Sequence, residues 1–221
     1  MSSYASLLEL RNEMQKTDTG DDTLLQVILD DASAAIDQLC NRPDGFVADA
    51  TATDRYFAGL GQAWLYIDEF VEVDEVSVKD SPSDTTYVLW VKDTDYTYAS
   101  GSPRFPDFNA VAKGKPYNML LILPEGEYAD FLDGAYTDDD NDIHRVRTVK
   151  VKANWGYAAT CPPSIRRACL IQAARWYKKM QSAGSDTGAN ASMGTLTYGA
   201  VLDADIVALL QRGRFVREAI G

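Results

Sequence analysis

Hydrophobic residues follow a helical period near the start of the chain. Between Asp21 and Asn41 they recur every three or four positions, opposite a polar stripe, which predicts an amphipathic helix packed on a core. The apolar stripe contains Leu25, Ile28, Leu29, Ala32, Ile36 and Leu39. Asp21 or Asp22 can cap the start of this helix, and it should end near Asn41-Arg42-Pro43. A shorter helix is predicted at residues 4–14, followed by a polar turn at residues 15–20.

The period changes to two after residue 53, where β-branched and aromatic residues become frequent. The segments that predict strands are residues 56–60, 63–67, 71–78, 86–92, 95–98, 117–123 and 145–153. Together they predict an antiparallel β region of five to seven strands. Residues 100–116 contain prolines and glycine-lysine breaks and are predicted as a loop. Residues 126–142, which hold six aspartates, are predicted as an exposed acidic loop.

A further helix is predicted to begin at Pro162-Pro163, because proline fits the first helical turn without loss of a hydrogen bond. Its apolar side contains Ile165, Cys169, Trp176 and Met180, and its polar side contains Arg167, Arg175 and Lys178. We interpret Trp155 and Trp176 as the packing between the last strand and this helix. The predicted structural core around it is therefore Trp155, Ile165, Cys169, Trp176 and Met180.

The C-terminal part of the chain has a different composition. Residues 183–200 are rich in Gly, Ser, Ala and Thr and almost uncharged, which is typical of a flexible linker that orders on contact with a partner. A final helix is predicted from about Asp203 to near Gly213. Its apolar face contains Ile206, Leu209 and Leu210, and it is followed by Arg212, Arg214, Phe215 and Arg217.

These elements predict an α+β fold. It comprises a small helical bundle, an inserted antiparallel β domain, and a flexible C-terminal arm that ends in a short helix. The predicted divisions are residues 1–52 for the N-terminal helices, 53–153 for the β domain, 154–182 for the central helix that completes the bundle, and 183–221 for the arm.

Composition narrows the classes of function. The 221 residues are 46% hydrophobic and 24% charged, which is ordinary for a globular protein. The longest apolar run, residues 119–123, is far shorter than a membrane span, and the N-terminus lacks a signal-peptide pattern. We therefore expect a soluble protein made in a cytoplasm, without a membrane partner. Cys40, Cys161 and Cys169 lack metal-binding spacing and are expected to be reduced thiols.

The charge pattern is uneven. The net charge of −12 argues against a free-standing nucleic-acid binder, because such proteins neutralise phosphates with Lys and Arg. Residues 162–182, in contrast, contain five basic residues and no acidic one. Two interpretations remain open: an acidic surface that repels passing DNA while basic parts dock elsewhere, or solvated faces of an ordinary protein.

No motif predicts catalysis, a cofactor or a metal. Asp138, Asp140 and Asp142 imitate the start of a calcium-binding loop, but Ile143 and Val149 occupy the positions that need Gly and Glu. The single histidine, His144, has no recognisable nucleophile motif beside it and is expected at a solvated strand edge. No phosphate-binding loop or dinucleotide fingerprint is present. The four tryptophans have the spacing of core residues more than that of a sugar-stacking platform.

The order of the segments resembles that of the head-to-tail connector (neck adaptor) proteins of tailed bacteriophages. The resemblance lies in Asn154-Trp155-Gly156-Tyr157, in Pro162-Pro163, and in the helix with Ala-Arg-Trp-Tyr-Lys-Lys at residues 174–179. Residues 4–10, 21–25 and 34–37 are similar to the entry of the family, and residues 206–217 are similar to its exit. The long β region matches the family least.

This resemblance implies a structural virion protein of the neck, assembled in the host bacterial cytoplasm. Copies would form a ring, with twelve as the leading number, beneath the phage portal protein. The ring would extend the DNA exit channel without binding DNA specifically, and would carry a downstream neck, stopper or tail protein. The residues expected to contact the portal are Ile206, Leu209, Leu210, Arg212, Arg214, Phe215 and Arg217.

Two alternatives stay open at this point. One is a different ring of the same neck, such as a tail-completion or stopper protein. The other belongs to another class, a carbohydrate-binding or hydrolytic module built on the β region, which would require an aromatic-lined cleft with converging carboxylates.

Overall fold

Four helices and an antiparallel sheet form the described part of the chain, so the predicted α+β class is confirmed. The computed structural model describes residues 3–137, 143–185 and 202–217. It separates into a β unit, Val47–Thr160, and a helical unit formed by the chain before and after it. The linker predicted at residues 183–200 falls largely outside the described residues, as does the tip of the predicted acidic loop.

The helical unit contains α1 (Leu7–Glu13), α2 (Asp22–Cys40), α3 (Pro163–Ser185) and α4 (Ala204–Arg212). Helix α1 begins with a capping box: the Glu9 backbone N–H donates to Ser6 Oγ, and the Ser6 N–H donates to the Glu9 carboxylate. Helix α2 ends at Asn41, whose left-handed φ of 52° closes the last turn. These bounds lie within a few residues of those that the apolar periodicity predicts.

A buried polar cluster fixes the N-terminal segment on α2. The Tyr4 hydroxyl donates to Asp37 and accepts from the Phe46 N–H at 2.9 Å, and the Tyr4 N–H donates to Ser33 Oγ. Gly45 is required beside this cluster, because it has a φ of +75° and a Cβ there would lie 2.8 Å from the Tyr4 hydroxyl. The sequence pattern predicts none of these contacts, since they join residues more than 25 positions apart.

The described residues of the β unit form nine strands: β1 (Thr53–Phe57), β2 (Trp64–Val78), β3 (Val88–Trp90), β4 (Tyr96–Ser102), β5 (Phe105–Asp107), β6 (Tyr117–Ile122), β7 (Ala135–Thr137), β8 (Ile143–Arg145) and β9 (Val149–Trp155). The main sheet has the order β1-β9-β2-β6-β4-β5, and β3 pairs with β2. All its pairings are antiparallel. Strands β7 and β8 form a separate hairpin.

Three parts of the sheet differ from the sequence prediction. The two strands expected at residues 63–67 and 71–78 are one long strand, β2, which continues through Asp68 and Glu69 with irregular register. Strand β5 lies in the segment predicted as a loop at residues 100–116, and β7 lies in the predicted acidic loop. β2 continues through these half-buried acidic residues because register shifts interrupt its regular pairing there and Asp68 binds Arg55 at 2.8 Å. β5 forms because the tight turn after Ser102 returns the chain onto β4.

Trp155 is part of the β-unit core. It is 1% exposed, its ring lies 5.8 Å from that of Phe57 and 6.2 Å from that of Phe70, and its indole N–H donates to the Thr53 carbonyl at 2.8 Å. Trp155 ends the inward-facing series of β9, and Trp176 is buried in the helical unit, so the expectation that the two pack on each other stays a prediction. Ile165 and Cys169 are fully buried in the helical unit, whereas Met180 is only half-buried.

Candidate interaction surfaces

The described residues contain no group of three or more His, Cys, Asp or Glu side chains placed to hold a metal ion. The aspartates at positions 138, 140 and 142 lie outside those residues. His144 is exposed, and its ring stacks on that of Tyr136 at 5.3 Å. Burial raises the pKa of the Cys40 thiol to about 11 and that of the Cys161 thiol to about 12, so both stay protonated and are poor nucleophiles.

The tryptophans do not form a surface platform. Trp90, Trp155 and Trp176 are 4%, 1% and 8% exposed, and Trp64 is half-buried. Trp90 stacks on Tyr128 at 4.2 Å and on Phe131 at 5.3 Å inside the β unit. An aromatic side chain stacks on a sugar only through a face that solvent can reach, so the alternative of a carbohydrate-binding module loses its main support.

The basic residues of α3 are paired with acidic residues of the same unit. Arg166 pairs with Glu9, and Arg167 pairs with Glu13 at 2.6 Å, both partners lying on α1. Arg175 binds the Asp205 carboxylate through two nitrogens at 2.7 Å. The helix that looks like a basic docking face in the sequence is thus largely neutralised by α1 and α4.

Arg175 and its neighbours hold α4 against α3. Arg175 also reaches Asp203 at 3.0 Å, and the side-chain oxygen of the buried Gln172 accepts from the Asp203 N–H. Ile206 and Leu210 are 1% and 0% exposed. These two side chains are covered by their own unit, because a helix with an apolar stripe packs that stripe on the nearest core.

The residues after α4 are tied to the end of α2. The Arg217 N–H donates to the Cys40 carbonyl at 2.9 Å, and Arg42 Nε donates to the Phe215 carbonyl at 2.9 Å. The Phe215 ring meets that of Phe46 edge-on at 5.8 Å. Phe215 and Arg217 are half-buried as a result, as is Leu209 within α4.

Arg212 and Arg214 are the exposed members of the predicted portal-contact set. Both lie at the C-terminal end of α4, where the orientation of the helix dipole favours positive side chains. They precede Phe215 in the chain, and the contacts of Phe215 and Arg217 with the rest of the helical unit fix their position.

The β unit carries most of the negative charge. It holds 20 acidic and 10 basic residues, a net charge of −10, whereas the rest of the chain has a net charge of −2. One segment of the unit is an exception. Residues 103–116 contain three basic residues and one acidic residue.

That segment also has an exposed apolar surface, which we call the hairpin patch. The patch comprises Arg104, Phe105, Phe108, Val111, Lys113 and Lys115. Phe105 is 78% exposed, Phe108 is 49% exposed and Val111 is 38% exposed. Sequence reasoning missed it by treating residues 100–116 as a loop, although two phenylalanines in a predicted loop were the available signal.

A cleft lies elsewhere in the β unit, between the segment that follows β2 and the β7–β8 hairpin. It has a volume of about 440 Å³ and is lined by Ser81, Pro82, Ser83, Tyr136 and Val146. None of these described lining residues is a carboxylate, so they do not provide the paired acids that glycoside hydrolysis needs.

None of the described helices combines the length and the apolar character that a membrane span requires. This agrees with the short apolar runs in the sequence.

Comparisons with known proteins give a likeness in fold. No protein-family model matches the chain, and no curated protein matches it significantly. Among solved structures it is similar to a chain in the neck of an empty gene transfer agent particle, computed with six-fold symmetry. The TM-score is 0.50 at 15% sequence identity, over 97% of this chain and 91% of that one. The likeness therefore covers both units.

Proposed function

We propose that this protein is a structural component of the neck of a tailed-phage-type particle, where it forms the head-to-tail connector ring. The observation that carries the proposal is the similarity in fold, over nearly the whole chain, to a chain in the neck of a gene transfer agent particle. The connector-like order of the sequence segments supports the same assignment independently. The particular role of adaptor, as opposed to stopper, is supported by the resemblance that the sequence of α3, which begins at Pro163, and of the C-terminal segment has to connectors.

The ring is proposed to contain twelve copies, the number implied by the resemblance to connectors. The neck of the gene transfer agent particle was computed with six-fold symmetry, which a ring of twelve also satisfies. Identical copies in a closed ring contact each other through two different surfaces, so each copy must offer a surface and its complement.

The negative charge suits the passage of DNA. A wall with a net negative charge repels phosphates weakly and provides few sites where a moving genome can bind. The pairing of Arg166, Arg167 and Arg175 with carboxylates removes the cations that would otherwise hold DNA. DNA is thus a passing cargo of the ring and not a bound partner.

Docking on the portal is assigned to the outer surface of the C-terminal segment. Arg212 and Arg214 are exposed, with half-buried Leu209, Phe215 and Arg217 beside them in the chain. Arginine and aromatic residues are the types in which binding energy at interfaces concentrates. Ile206 and Leu210 act indirectly, by holding this segment on the helical unit. A downstream neck, stopper or tail protein would bind elsewhere on the ring.

The test is the composition and structure of assembled particles. Cryo-electron microscopy of the neck should show a closed ring of this chain beneath the portal, and quantitative mass spectrometry should give about as many copies as the portal has subunits. A single copy or a few copies per particle, or placement outside the neck, would overturn the proposal.

A further inference from the structure

The hairpin patch of the β unit has the properties of an interface that lacks its partner. Phe105 is 78% exposed, and burying a phenylalanine side chain is favourable because it removes a large apolar area from water. Phe108 and Val111 extend the apolar surface along the chain. A partner that covers this surface therefore gains free energy that the isolated β unit does not use.

The patch is also held in shape. Strand β5 pairs with β4, with Asp107 opposite Ser100. The Lys113 ammonium binds both Asp107 carboxylate oxygens at 2.8 Å. The Tyr117 hydroxyl donates to the Phe108 carbonyl at 3.0 Å. Because these contacts order the backbone beforehand, binding through Phe105 costs little additional conformational entropy.

The charge of the patch points to an acidic partner. Residues 103–116 have a net charge of +2 within a unit whose net charge is −10. The hairpin patch is thus opposite in charge to the rest of the β unit. The rest of the β unit on another copy is therefore a surface that the patch can bind.

The cleft near the end of β2 can receive an aromatic ring. Its volume of about 440 Å³ lies in the range of sites that enclose small ligands, and Pro82, Tyr136 and Val146 give it apolar walls. Asp80 and Asp84 flank Ser81–Ser83 in the chain, and Asp80 is exposed. Arg145 and Arg147 flank Val146, so the cleft offers carboxylates to Arg104 only beside Ser81–Ser83, while Pro82, Tyr136 and Val146 receive the Phe105 ring.

We propose that Phe105 of one copy inserts into the cleft lined by Ser81–Ser83, Tyr136 and Val146 on the next copy. This inference rests on the proposed ring and names the contact between its subunits. The hairpin patch and the cleft share no residue, so the contact is heterologous and can repeat around a closed ring. A contact of this small size is too weak to hold two free protomers together, and it becomes effective when a portal aligns many copies.

The test uses a photoreactive residue in the full-length protein. Phe105 is replaced by p-benzoylphenylalanine, particles are assembled and irradiated, and the crosslinked peptides are identified by mass spectrometry. We expect crosslinks to a second copy of the chain, in peptides that contain Ser81–Ser83, Tyr136 or Val146. Leu89 is the matched control, because it is an apolar side chain of the same unit with 59% exposure and lies outside the patch.

A second variant measures the contribution of the contact. Phe105→Ser should leave the melting temperature within a few degrees of the wild type, since the side chain is exposed, and should reduce the number of assembled necks at least tenfold. Normal assembly of Phe105→Ser would overturn the inference. A further outcome is that electron microscopy shows the neck ring while residue 105 crosslinks only to other proteins or to other parts of this chain. That result would overturn the inference and leave the proposed function standing. Particles without any ring would overturn both.

Discussion

At the scale of single residues, the helical unit depends on the indole of Trp176, which is 8% exposed on α3. Trp176→Ala should destabilise this unit by about 3–5 kcal/mol, because truncating a buried tryptophan loses packing and leaves a cavity. Thermal unfolding followed by helical circular dichroism should show a clearly lower transition temperature. Phe105→Ala is the control, since an exposed ring in the other unit contributes little to folding. A transition unchanged within a few degrees in Trp176→Ala would show that the indole is not a core residue.

Asp37 gives the helical unit a pH dependence of its own. Burial raises the pKa of this carboxyl to about 6, although the hydrogen bond from Tyr4 and the charge of Arg42 act in the opposite direction. A carboxyl whose pKa is higher in the folded state stabilises the fold when protonated, so its contribution is complete below the unfolded value near 3.8 and is lost as the pH rises through 6.

The expected result is a gain of about 1 kcal/mol in unfolding free energy from this residue between pH 7 and pH 5. Asp37→Asn should remove that gain while keeping an acceptor for the Tyr4 hydroxyl. Urea denaturation of both proteins at the two pH values measures the difference. Equal pH dependence in the two proteins would contradict a raised pKa at Asp37.

At the scale of elements, α4 has a structural face and an outward face. Leu202, Ile206 and Leu210 are buried, so deletion of residues 203–221 is expected to destabilise the helical unit, and truncation is a poor test of docking.

The double variant Arg212→Glu and Arg214→Glu is a better test of docking, because both side chains are exposed. We expect an unchanged melting temperature and DNA-filled heads that fail to retain necks or tails. Lys178→Glu, an exposed charge reversal on α3, is the control, and normal particles from the double variant would exclude these arginines from the portal contact.

The elements also show what a sequence pattern can predict. Helices α2 and α3 were predictable because an apolar stripe and a proline start are local signals. The continuity of β2 was not, since Asp68 and Glu69 look like a break until bulges and the partner strands β6 and β9 are known. The cleft was missed for the same reason, because it joins segments distant in the chain. The hairpin patch is local and was missed because residues 100–116 were predicted as a loop. The sequence alone could not assign the apolar face of α4, because such a face fits an internal core as well as a partner, whereas Arg212 and Arg214 beside it are exposed.

At the scale of the whole molecule, the charge distribution predicts that the protein does not bind DNA. The net charge is −12 and the three arginines of α3 are paired, so we expect no measurable binding to duplex DNA at about 0.15 M salt, where the Debye length is about 8 Å. Fluorescence anisotropy with labelled duplex measures this. The quadruple variant Glu9→Gln, Glu13→Gln, Asp203→Asn and Asp205→Asn removes the carboxylates paired with the three arginines and should bind more strongly at low salt. Micromolar binding by the wild type that weakens steeply with salt would contradict the prediction.

The helical unit is built from both ends of the chain, and this has a consequence for its synthesis. Helix α2 leaves the ribosome before the 114 residues of Val47–Thr160, and α3 leaves after them. Translation adds about 5–20 residues per second, so the apolar stripe of α2 stays uncovered for roughly 6–23 s until α3 is synthesised. An exposed apolar stripe is prone to aggregation during such an interval. Slowing translation within the β unit should therefore lower the yield of folded protein more than slowing it after residue 185.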